Sequence, residues 1–230
     1  MVYCTGGVCG LILGVAYVAI IVLYVPIGAP PVHVDALLAY LAANSARWWW
    51  IVALSVLTDF LFVPLTISIC FVLRSADRYL LWLAAGCIML FVVLDLAVTW
   101  TGYVSLMSLS GDYCRAVTET QKAAILTAAA PGCALLHSKL LFVYNTLTLA
   151  VGILLSGLVM LRSTFGNGAA YLGIATGCAG IVSVCGSFFF TALSSAIILA
   201  SCLTMLWVIV VGYRLCRIEI RARTAAGGAP

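Results

Sequence analysis

Charge is the scarcest commodity in this sequence. Its 230 residues hold eleven Lys and Arg against seven Asp and Glu, so 8% of the chain is charged, 65% is hydrophobic, and the mean hydropathy is +1.23. Soluble domains sit nearer ~45–50% apolar, so the composition excludes that class and places the chain in lipid. Histidine is nearly missing, with His33 and His137 alone. Among ten cysteines there is no Cys-x-x-Cys pair, which removes the spacing that compact metal sites use. The two lysines, Lys122 and Lys139, lie outside the last apolar run, against a retinal protein. No phosphate-cradling glycine loop occurs, since Gly166-Asn167-Gly168 reads as a short turn. No metal and no cofactor is expected.

What the chain does have is long apolar runs. About 20 such residues cross ~30 Å of hydrocarbon, and six runs qualify: 6–25, 48–73, 79–103, 134–161, 169–188 and 191–216. The expected fold is an all-α polytopic membrane bundle of six transmembrane helices. No polar linker divides it, so residues 1–230 read as a single domain. The last two runs have no charge between them, and Gly186-Ser187-Phe188 is the expected reversal. Gly6, Gly10 and Gly14, and then Gly173 and Gly177, recur at the four-residue spacing that lets helices approach closely within a bundle.

Lys and Arg favour cytoplasmic loops. With the amino terminus inside, the inner segments hold Arg74, Arg78, Arg162, Arg214, Arg217, Arg221 and Arg223, and the outer ones Arg47, Arg115, Lys122 and Lys139. Both termini are therefore expected in the cytoplasm, in a multi-pass protein of the cell membrane. No basic residue precedes Arg47, and the first run exceeds the ~7–15 apolar residues of a leader peptide, so it reads as a retained span. The net charge of +4 needs no nucleic-acid partner. The basic tail adjoins a span, where head groups attract it by ~1 kcal/mol per residue, so the lipid bilayer is the first expected partner.

Two outer loops are long enough to hold short amphipathic helices. In residues 32–47, Leu37, Leu38 and Leu41 recur at helical spacing before Trp48, Trp49 and Trp50, which read as an interfacial aromatic belt. In residues 105–133, Thr118 can begin a helix that Pro131-Gly132 would end. Cys114 and Cys133 share this second loop. On an oxidising side a bond between them would close it, with an entropic effect of ~3 kcal/mol.

The informative polar groups are Asp59 and Asp95, alone inside apolar runs. An ionisable side chain at membrane depth costs at least ~2.5–3.5 kcal/mol, so it faces a bundle interior and has a partner or a role. Depth follows from ~1.5 Å per residue. Asp59 and Asn145 each lie eleven residues into their runs, roughly 16 Å deep. Asp95 falls nearer the outer face, level with Lys139 and His137. Two layers are expected, Asp59 with Asn145 and Asp95 with Lys139 or His137. Interhelical ties of about 0.6 kcal/mol are one reading of such layers; a proton relay or cation site is the other.

An intramembrane enzyme fits less well. An aspartic dyad needs its carboxyls close together, whereas these two are placed at different depths. Ser156 and His137 lie nineteen residues apart, roughly 28 Å along one helix. No catalytic residue is assigned. The leading expectation is binding or transport of a small solute or proton through a polar mid-membrane site. The alternative is a structural or regulatory partner of another membrane protein complex.

Three segments carry a family likeness: residues 58–78 (TDFLFVPLTISICFVLRSADR), 158–177 (LVMLRSTFGNGAAYLGIATG) and 207–218 (WVIVVGYRLCRI). With them the chain resembles a family of uncharacterised six-span bacterial integral membrane proteins, a domain of unknown function. The resemblance implies six spans and a bacterial inner-membrane location. It brings no activity, cofactor or site residue.

Overall fold

In hydrocarbon every backbone N–H and C=O must be satisfied within its own segment, so uninterrupted apolar sequence becomes helix. The computed structural model describes residues 2–163, 165–189 and 196–227, and these contain no strand. The helices are α1 (Val2–Tyr24), α2 (Val34–Ala43), α3 (Ser45–Leu73), α4 (Arg78–Leu94), a π turn (Asp95–Trp100), α5 (Thr101–Arg115), α6 (Glu119–Leu136), α7 (Lys139–Leu161), α8 (Asn167–Phe189) and α9 (Ala196–Gly227). Six stretches are long and apolar enough to cross a membrane: Tyr3–Tyr24, Ser45–Leu73, Arg78–Arg115, Glu119–Leu161, Asn167–Gly186 and Ile197–Arg221.

Six helices close into a ring in the order α1, α3, α4, α7, α8, α9, each packed on the next and α9 returning to α1. Leu13, Phe62, Phe91, Ile153 and Trp207 fill its interior, with Phe62 and Phe91 edge to face at 5.9 Å. Glycine sets the tightest crossings. A Cβ on Gly212 would lie 2.8 Å from Gly7 O and 3.0 Å from Leu11 N; one on Gly157 would lie 2.8 Å from Ala170 O. These neighbours are backbone and cannot rotate away. Within the four-residue pattern, Gly10 and Gly14 meet Val208 and Ile209 of α9 and Gly177 meets Ala150 and Leu154 of α7, whereas Gly6 lies against Ser68 of α3.

The second apolar core forms a cap at one end of the ring. Arg78–Arg115 is a continuous 38-residue helix, about 57 Å long at 1.5 Å per residue, so it outruns a ~30 Å hydrocarbon layer. Its far end, α5, packs against α6 and α2. Leu37, Leu38 and Leu41 are buried there with Leu106, Met107 and Ala129. Trp48 joins them at 2% exposure, stacked on Tyr103 at 4.9 Å. Trp49 and Trp50 stay exposed, so only two of the three tryptophans have the exposure of an aromatic belt.

Several boundaries differ from expectation. The third span runs on to Arg115, because residues 105–115 cover the cap core rather than loop away. Helix α6 begins as expected, with Thr118 Oγ1 accepting from Gln121 N at 3.2 Å and Gln121 Oε1 accepting from Thr118 N at 3.3 Å. It does not end at Pro131-Gly132 but continues to Leu136. Pro131 and Thr127, whose carbonyl the proline leaves free, both lie on the exposed side, while Ala129 and Cys133 hold the helix to the cap. The break comes at His137-Ser138, where Ser138 Oγ caps α7 by accepting from Leu141 N at 3.1 Å. Gly186-Ser187-Phe188 is helical within α8, so the chain does not reverse there; residues 190–195 lie outside the described residues.

Candidate functional site

Asp59 and Asp95 are both buried, at 2% and 9% exposure. They come from adjacent members of the ring, α3 and the third span. What joins them is a local departure from α geometry. Asp95 to Trp100 form a π turn, and Thr101 Oγ1 donates to Leu96 O, five residues back, at 2.9 Å. In an α-helix a residue five positions on faces about 140° away; in i→i+5 geometry it returns over the first. Trp100 is thereby carried over Asp95. Its single indole N–H reaches Asp95 Oδ2 at 3.1 Å and Asp59 Oδ2 at 3.0 Å.

Asn145 on α7 completes the centre. Its Nδ2 donates to Asp95 Oδ1 at 2.7 Å and to Thr99 Oγ1 at 2.8 Å. Both amide hydrogens are spent, and Asn145 Oδ1 is buried without a partner. Tyr17 of α1 packs against the same ring core as Phe62 and Phe91. An aromatic series leads away toward the cap, with Trp100 and Tyr103 at 6.0 Å and Tyr103 and Trp48 at 4.9 Å.

The chemistry follows from donor counting. Two carboxylates share one indole donor, the Asn145 amide and the Thr99 hydroxyl help Asp95, and among the described residues no cation forms an ion pair with either. Like charges this close in a low dielectric disfavour double ionisation, and unpaired buried charge is expensive. A proton held between the pair, or a bound cation, relieves that cost. Asp95 and Asn145 also face a cavity of about 240 Å³ lined by α4, α7, α8 and α9, with Phe91, Thr176, Ser201 and Thr204 in its wall.

The structure redistributes the sequence candidates. Asn145 partners Asp95 rather than Asp59, because α7 packs on α4, so the two expected layers merge into one centre. Lys139 and His137 stand apart from it and are exposed. Lys139 Nζ sits 5.8 Å over the Phe188 ring, and His137 Nδ1 lies 2.9 Å from Cys133 O. Cys114 and Cys133 are free thiols. Cys114 is exposed on α5, whereas Cys133 turns its Sγ to Val32 O at 3.4 Å. Among the described residues no group of three or more His, Cys, Asp or Glu could hold a metal ion. Trp100 and Thr99 are the additions. Their signal is a Thr-Trp-Thr run at 99–101 inside an otherwise apolar span.

Compared with protein-family models, curated proteins and solved structures, the chain finds no match.

Proposed function

We propose that the Asp59–Trp100–Asp95–Asn145 centre is the working site of a cell-membrane protein that binds or transports a small solute or a proton. The observation that carries this reading is one indole N–H serving two buried aspartates. A tie between helices needs one acceptor for one donor. The second carboxylate adds a charge that packing does not require, and intramembrane carboxylates without a cation mark ion and proton paths. The π turn points the same way, since such turns occur frequently at functional sites. The cavity beside Asp95 offers the centre a neighbouring compartment.

The proposed orientation draws on the arginines. Arg74, Arg78, Arg162, Arg214, Arg217 and Arg221 collect at the end away from the cap, which supports cytoplasmic termini and an outward-facing cap. The likeness of residues 58–78, 158–177 and 207–218 to six-span bacterial proteins supports a bacterial cell membrane. The test is proton uptake into proteoliposomes holding a pH-sensitive dye under an imposed potential. Wild type is expected to acidify the lumen several-fold faster than empty liposomes, and Asp59→Asn to return to the empty rate. Equal rates for wild type and Asp59→Asn would overturn the proton reading.

A further inference from the structure

Among the described residues, the wall of the 240 Å³ cavity between α4, α7, α8 and α9 offers mainly hydrogen-bond acceptors. Thr176 Oγ1 spends its hydrogen on Leu172 O at 2.7 Å, Ser201 Oγ on Ile197 O at 2.9 Å, and Thr204 Oγ1 on Ala200 O at 2.8 Å. What these hydroxyls leave for a guest is lone pairs. Asn145 has given both amide hydrogens to Asp95 and Thr99, and its Oδ1 remains buried and unpartnered. Asp95 adds a carboxylate. Among the described residues, four side chains from the third span, α8 and α9 therefore present acceptors, and Thr146 alone has a hydroxyl hydrogen not committed to its own helix.

We infer that this cavity takes a small cation bearing N–H donors, ammonium or a small protonated amine. An anion would meet a wall of oxygens with almost nothing to donate. A neutral apolar guest would leave the Asp95 carboxylate in the wall without a counter-charge, and unpaired buried charge is expensive. A single bare metal ion leaves most of the space empty, since 240 Å³ corresponds to roughly eight waters at ~30 Å³ each. Phe91 in the wall supplies an aromatic ring of the kind cations favour. Lys139, the nearest basic residue on α7, sits over the Phe188 ring and takes no part in the lining. The inference rests on the proposed function and names its substrate class.

The test is a thermal-shift titration of the purified full chain with methylammonium chloride, tetramethylammonium chloride and sodium chloride at matched ionic strength. Methylammonium is expected to raise Tm saturably, while the other two, which carry no N–H, do not. Asp95→Asn is expected to abolish the response. The isosteric pair Thr176→Val with Thr204→Val, which removes two acceptors and keeps the shape, is expected to weaken the apparent Kd at least tenfold. No methylammonium shift, or equal shifts with all three salts, overturns the inference. The liposome assay separates the two claims: uptake lost in Asp59→Asn without a methylammonium shift sinks the substrate class alone. Loss of both signals sinks the site as well.

Discussion

Asp59 on α3 and Asp95 on the third span accept from the same hydrogen, the indole N–H of Trp100, at 3.0 and 3.1 Å. That shared donor couples two acids that no other described side chain bridges. Trp100 thus has a role that neither size nor hydrophobicity explains.

Trp100→Phe keeps a ring against Tyr103 and removes only the donor. It is expected to destabilise the protein by about 1–3 kcal/mol, the cost of leaving buried acceptors unmet. Combined with Asp59→Asn, the loss should be less than additive, with a coupling of about 0.5–3 kcal/mol. A chemical unfolding series in mixed micelles over the four proteins measures it. Strict additivity would mean that the indole and Asp59 do not interact.

The ring depends on bare backbone at α1 and α9. Gly212→Val places a Cβ 2.8 Å from Gly7 O and 3.0 Å from Leu11 N, and overpacking of this kind costs about 1–3 kcal/mol or more. It should lower Tm and broaden the size-exclusion peak. Gly86→Ala, with nothing within 4 Å of the new Cβ, should leave both unchanged or slightly raise Tm. Equal effects from the two would sink the close-contact reading.

At the end away from the cap, Asp77 does two jobs. It caps α4 by accepting from Leu80 N at 3.1 Å and pairs with Arg162 at 2.9 Å. The pair is exposed on the arginine side, 66%, and such bridges are worth about 0–1 kcal/mol, whereas losing a cap costs about 1 kcal/mol. Asp77→Ala should therefore be clearly destabilised in thermal melts, and Asp77→Asn and Arg162→Ala barely so. An Asp77→Asn protein as weak as Asp77→Ala would assign the effect to the ion pair.

Orientation is testable through Cys114, exposed on α5 in the cap. A membrane-impermeant maleimide added to intact cells should label wild type and lose most of that signal in Cys114→Ser. Labelling at Cys114 that requires permeabilised cells would invert the bundle.

Six spans were legible in the sequence because hydrocarbon leaves a chain no other use for twenty apolar residues, and both aspartates stood out because charge is so rare. Their pairing was not legible. Depth counted along each helix separates Asp59 from Asp95, yet the π turn swings Trp100 over Asp95 and lets one indole span the gap. Which helices are neighbours is also invisible along the chain, so Asn145 matched Asp59 by depth while α7 packs on α4. The cap shows the opposite weakness: residues 105–133 read as a loop holding one short helix that Pro131-Gly132 would end, although α5 runs to Arg115 and α6 to Leu136 over a second buried core. Local breakers lose to long-range burial at Pro131.

The most direct measurement of the shared centre is infrared difference spectroscopy on a pH step, following the carboxylic-acid carbonyl band in wild type, Asp59→Asn and Asp95→Asn. Two acids on one donor should give a single coupled signal, so either substitution alone removes or displaces the whole band, and Trp100→Phe shifts it. Two separate bands, each untouched by substitution of the other aspartate, would contradict it.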